Sequence, residues 1–210
     1  MAEAITTLIP VQELVSGRLA DIREAIIDAV VQKASSELTL PEEQLLVRDI
    51  RAYDDLKFGA NTDYLATAQS TNVWGTFKHT DTYVAEAATA GAYVDAVPDS
   101  TTMADQRYIV LYGVRDMRES LATVIEQDIS LIKFTIGTSD KVIWDLSKCE
   151  AYKDGIAGVT PSAVVIPPLA PYQIDPYLMD GGVVPYLQLM GFVVEPVGLL
   201  LVPDRKEEVL

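Results

Sequence analysis

The chain has 210 residues, 49% of them apolar and 22% charged, which excludes a disordered tail or a collagen-like fibre and fits one main domain with extensions. Its 16 Lys and Arg against 31 Asp and Glu leave a formal net charge of −15, so DNA or RNA, which needs a basic surface to neutralise phosphate, is not an expected direct partner. Apolar runs such as 163–166 and 199–202 fall far short of the ~20 residues that span a bilayer, the opening Met1-Ala2-Glu3 lacks the basic stretch and apolar core of a secretory leader, and Cys149 is the single cysteine. No membrane span and no internal disulfide are expected, and synthesis is expected in a cytoplasm.

Residues 11–38 carry the clearest helical pattern, with Val11, Val15, Leu19, Ile22, Ile26 and Val30 spaced by four or three along one face. Pro10 suits the first turn, and Leu14, Ile27 and Val31 widen the apolar stripe beyond a narrow seam. The sequence therefore predicts an amino-terminal helical extension over residues 1–40, in contact on more than one side. Its removal is expected to leave a folded β-rich domain that no longer assembles.

The pattern changes after Pro41. Residues 45–53 read as a strand carrying Arg48, Asp49 and Arg51. From 57 to 105 the chain loses most large aliphatic residues but keeps Phe58, Tyr64, Trp74, Phe77, Tyr83 and Tyr93. Long loops inside compact domains tend to be functional or ordered by a partner, so this excursion is expected to hold short strands and partner contacts.

Tyr108-Ile109-Val110-Leu111-Tyr112 is apolar on both alternating faces and is placed as a central strand. In residues 129–136, Ile129 and Leu131 alternate in one phase and Ile132, Phe134 and Ile136 in the other, which calls for a β-bulge between Leu131 and Ile132. Gly137-Thr138-Ser139-Asp140 is a turn, and residues 141–146 return as the second strand of a hairpin. Residues 162–166 form a further strand stopped by Pro167 and Pro168. Pro176 marks 172–179 as an edge strand or a bend, because proline cannot donate to a central ladder. Residues 186–195 form the last long strand, with Gly191 at a kink or close approach, and 204–210 a charged tail. The resulting division is a helical extension (1–40), a β-sandwich domain (41–203, with the 57–105 excursion) and the tail.

Catalytic chemistry finds no pattern here. His79 and Cys149 are each alone of their kind, and nothing in the sequence places them together as a base and a thiol nucleophile. A zinc site would take at least two ligands from carboxylates. The many aspartates fall mostly beside Gly, Pro, Thr or Ser, as turn residues do, and no EF-hand type loop is present. Neither a phosphate-cradling Gly-x-x-x-x-Gly-Lys-Ser/Thr loop nor a Gly-x-Gly-x-x-Gly turn occurs. The expectation is a non-enzymatic chain without cofactor, metal or small-molecule substrate.

The strands between residues 107 and 203, with Ala163-Val164-Val165-Ile166-Pro167-Pro168 and Leu189-Met190-Gly191-Phe192-Val193-Val194-Glu195-Pro196, resemble the second half of jelly-roll or related β-sandwich virion proteins of bacteriophages and archaeal viruses. The resemblance covers under half of the chain, and the helix and the aromatic excursion depart from the plainest single jelly roll. It implies a mainly β, jelly-roll-like sandwich and a capsid or cement subunit of a virion, whose partners are itself and other virion proteins. The residues expected at its interface are Val11, Leu14, Val15, Leu19, Ile22, Ile26, Val30, Trp74, Phe77, Tyr83 and Tyr93. The alternatives are a carbohydrate- or receptor-binding virion module, with aromatics lining a sugar site, and a hydrolase using two carboxylates.

Overall fold

A computed structural model describes residues 4–50, 76–77, 92–93, 97–116, 129–138, 140–149, 157–178 and 187–198. In chain order the elements are β1 (Ala4–Thr7), β2 (Ile9–Pro10), a single 3-10 turn (Val11–Glu13), α1 (Arg18–Leu38), a second 3-10 turn (Glu42–Gln44), β3 (Leu45–Asp49), β4 (Thr76–Phe77), β5 (Ala92–Tyr93), β6 (Val97–Thr102), β7 (Tyr108–Asp116), β8 (Ile129–Ile136), β9 (Asp140–Asp145), β10 (Ala157–Ile166), β11 (Pro171–Leu178) and β12 (Leu187–Pro196). The chain is mainly β, with two sheets and one helix among the described residues.

One six-stranded sheet runs β1-β9-β8-β11-β5, with β6 also paired to β11; the other runs β2-β10-β7-β12-β3, with β4 also paired to β12. The two sheets enclose a core that includes Ile132, Phe134, Trp144 and Ile174 from the first and Ile109, Leu111, Val164, Ile166 and Val193 from the second. Phe134 and Trp144 meet edge to face with ring centroids 4.6 Å apart. β7 lies at the centre of the second sheet, as its two apolar faces predict. Ile109 and Leu111 point to the intersheet core, whereas Tyr108, Val110 and Tyr112 point outward to α1.

That outward face is what the helix covers. Ile22, Ile26, Val30 and Ala34 recur every four residues and are buried against Tyr108, Val110, Val159, Phe192 and Val194. The helix begins at Arg18 rather than at residue 11. Pro10 ends β2, Val11–Glu13 closes only one 3-10 turn, and Gly17 takes a left-handed φ of 87°, which stops helical geometry from propagating backward. At the other end Thr39, also left-handed, donates its backbone N–H to the Ser35 carbonyl, while the Ser35 hydroxyl donates to the Leu40 carbonyl at 2.6 Å.

Three irregularities shape the sheets. The pairing of β8 with β11 passes from Leu131↔Tyr177 to Ile129↔Leu178, so the extra residue in β8 is Ser130, and the bulge lies just before Leu131 rather than after it. Gly191 is a close-approach point: the register of β12 on β7 shifts between Met190 and Gly191, and a Cβ there would stand 2.3 Å from the Val110 carbonyl oxygen. β10 bulges between Val159 and Val164, where the Thr160 hydroxyl oxygen accepts a hydrogen bond from the Ser162 N–H at 3.0 Å.

β11 is not an edge strand. It pairs with β8 on one side and with β5 and β6 on the other. Pro176 is tolerated there because β6 pairs only up to Ile174 and β5 begins at Tyr177, so neither pairs at Pro176 on that side.

Candidate assembly surface

The segment from Ala4 to Pro10 reads Ala-Ile-Thr-Thr-Leu-Ile-Pro, β-branched and without a charge in a chain of net charge −15. Its first four residues, β1, run parallel to β9, with Ile5 beside Ile143 and Thr6 beside Trp144. The Leu8 N–H donates to the Asp145 carbonyl at 2.9 Å, and the Leu8 side chain is fully buried in the intersheet core. Ile9 and Pro10 then pair with Val159 and Gly158 of β10. One buried leucine thus carries the chain from the first sheet to the second. Gly158 makes room for it: a Cβ at that position would lie 3.0 Å from the Leu8 Cβ and 2.6 Å from the Cys149 Sγ.

No described strand pairs with the other side of β1. Among the described residues β1 ends its sheet, and Ile5 is 68% exposed, with Ile9 at 36% and Val15 at 80% further along. Edge strands offer unpaired N–H and C=O groups, and proteins usually blunt them with charge, proline or brevity. Among the described edges, β3 carries Arg48 and Asp49, β2 is two residues ending in Pro10, and β6 contains Pro98 and Asp99. β1 has neither charge nor proline.

No protein-family model matches the chain, and no curated protein or solved structure matches it significantly. Its surface has to be read from its own residues.

The residues expected at an interface divide into groups. Ile22, Ile26 and Val30 are buried on the chain's own sheet, and Val11, Leu14 and Leu19 pack partly against the same cluster. Their apolar width, which suggests contacts on several sides, is explained in large part by the outer faces of β7, β10 and β12. Val15 alone of the helical set stands out to solvent. Phe77 falls in β4, whose backbone pairs with β12, and Trp74 and Tyr83 lie outside the described residues.

Tyr93 sits on the outer face of the first sheet. Its ring meets Tyr177 edge to face at 5.1 Å and lies under the Lys133 ammonium at 4.3 Å. Lys133 also bridges to the buried Asp175 at 2.8 Å, directly across the β8–β11 ladder. Tyr93 therefore belongs to a four-residue polar and aromatic cluster, held by a charge pair and a cation–π contact.

Two further features were not legible as sites. Glu195 is fully buried and accepts from Arg48 Nε and Arg107 Nε, each at 2.8 Å. At the far end of α1, Glu37 accepts a hydrogen bond from the Tyr108 hydroxyl. Burial first, and the Glu37 carboxylate second, push the Tyr108 phenol well above its ordinary range. Both arrangements fasten elements together. Cys149 is buried under Leu8 and Gly158, and His79 lies outside the described residues.

A shallow groove of about 340 Å³ runs between α1 and the bulge of β10, lined by Ile22, Ile26, Ala29, Pro161 and Val165, with Arg18 and Asp21 at its rim. The first sequence signal for the exposed surface was available in residues 4–10, where Ile5, Thr6, Thr7 and Ile9 form a β-branched run without charge. No sequence signal links Arg48, Arg107 and Glu195, which meet only through the pairing of distant strands.

Proposed function

We propose that this chain is a virion structural protein, a capsid-forming or capsid-stabilising (cement) subunit built on a jelly-roll-like sandwich and acting through contacts with copies of itself and with other virion proteins. The observation that carries this reading is the edge of β1, short but without charge or proline, with Ile5 68% exposed. A monomer of net charge −15 gains nothing from an open neutral strand, whereas a subunit in a lattice uses such a strand to meet its neighbour. The clasp formed by Leu8 fits the same role, since it fixes the exposed strand to both sheets and presents it in one geometry.

The resemblance of residues 107–203 to bacteriophage and archaeal virus subunits supplies the context of a virion. Immunogold electron microscopy tests it, with antibody raised to the purified chain and applied to particles released by the cells that encode it. Regular labelling of intact particles is the expected result. Antigen confined to the soluble fraction, with unlabelled particles, contradicts the assignment.

A further inference from the structure

The proposed assembly role leaves the partner of β1 unspecified, and the inference that follows rests on that role. We propose that β1 pairs antiparallel with β1 of a second copy of the chain, across a two-fold axis passing beside Ile5, so that the two first sheets become one continuous sheet.

Charge selects a second copy only at a place where like-charged molecules can touch. Two chains of net charge −15 repel over most approaches, and the residues of β1 bring no charge of their own to the contact. Geometry restricts the register, and the exposed Ile5 favours one centred on itself. Antiparallel pairing about a two-fold axis normal to the sheet keeps outer face on outer face, so an outward residue must oppose an outward residue. Ile5 shares the face of its neighbour Ile143, and Ile143 is paired in turn with Lys133, which stands opposite the buried Asp175 on the face of the sheet turned away from the intersheet core. The register that places Ile5 opposite its own symmetry mate satisfies this rule and sets Ala4 against Thr6 on either side.

In that register two β-branched side chains, of a type that suits strands, meet directly. The exposed Ile5 gains a cover, and the row Ile143–Ile5 continues into the same row of the second copy. The four residues of β1 make a contact too short to hold two molecules tightly, so association is weak for one pair and firm only where many contacts act together.

The experiment compares the intact chain with three variants by sedimentation equilibrium and by non-reducing electrophoresis after mild oxidation. Ile5→Lys places a charge on the axis at an exposed position, so the fold is retained by circular dichroism while self-association weakens by about tenfold or more. Ile5→Cys is expected to give a covalent dimer, because directly opposed residues have Cα atoms about 4.5–5.5 Å apart, within disulfide range. Thr7→Cys is expected not to cross-link, since symmetry-related copies of that residue would stand roughly 14 Å apart. Cys149 is buried and gives no competing link. Normal association of Ile5→Lys, or failure of Ile5→Cys to cross-link in a chain that still associates, overturns the β1 pairing and leaves the assembly role standing. An intact chain that stays monomeric at every concentration overturns both.

Discussion

Arg107 donates from Nε to Oε2 of Glu195 at 2.8 Å, inside the protein, and so ties the entry to β7 to the end of β12. Arg48 of β3 donates to the other oxygen of the same carboxylate. One fully buried acid thus joins three pieces of chain separated by up to 147 positions.

Removing that acid takes a shared carboxylate away from two guanidinium groups in a poorly solvated site. Glu195→Ala is expected to lower the free energy of unfolding by about 3–5 kcal/mol, measured by urea titration, because taking one partner out of a buried ion pair costs more than the pair contributed. Arg107→Met is expected to cost clearly less, since Glu195 keeps Arg48. Equal losses in the two variants would show that the three groups do not act as described.

The helix supports a second expectation. Sequence periodicity describes residues 1–40 as an extension whose loss leaves a folded β domain, yet α1 covers Tyr108, Val110, Phe192 and Val194 of the second sheet. Deleting residues 1–40 also removes Leu8 from the intersheet core. The truncated chain is therefore expected to lose cooperative melting and to bind a dye for exposed apolar surface. Within the intact chain, Ile26→Ala is expected to cost about 2–4 kcal/mol. A truncated chain that melts as cooperatively as the full one would restore the simple extension.

Several elements were readable from residues alone, and for stated reasons. β7 declares itself because both of its faces are apolar, and both are covered, one by the facing sheet and one by α1. The inner phase of β8, with Ile132 and Phe134, follows from alternation, as does its hairpin with β9. The start of α1 was misplaced because Val11, Leu14 and Val15 continue the helical spacing by type, while the left-handed backbone at Gly17 interrupts it in space. Pro176 suggested an edge because the rule forbids a missing donor within a ladder, and the neighbouring strands leave that position unpaired on one side. The β-branched residues 4–10 hint at a strand, but its anchoring does not follow from sequence, because Leu8 finds its partners only after distant strands have paired.

Tyr108 gives a prediction in pH. Its phenol is held above the ordinary value of about 10 by burial and by Glu37, so the folded state keeps a proton that the unfolded state releases. The stability this provides is complete below about pH 10 and declines as pH rises above that value, as the unfolded chain loses the proton first. Tyr108→Phe is expected to show a shallower alkaline loss of stability than the parent and one fewer late-ionising phenol in an ultraviolet titration. Loss of a phenol that ionises in the ordinary range near pH 10 would instead place Tyr108 in solvent.

Self-assembly is best examined by sedimentation velocity of the intact chain, at about 20 mM and about 0.5 M salt over a wide concentration range. Salt screens the repulsion between chains of net charge −15 and leaves apolar and backbone contacts in place. Reversible association that grows with concentration and is stronger at high salt is the expected result. A single monomeric species under every condition would contradict it, and association that dissolves on adding salt would identify a basic partner surface in place of self-assembly.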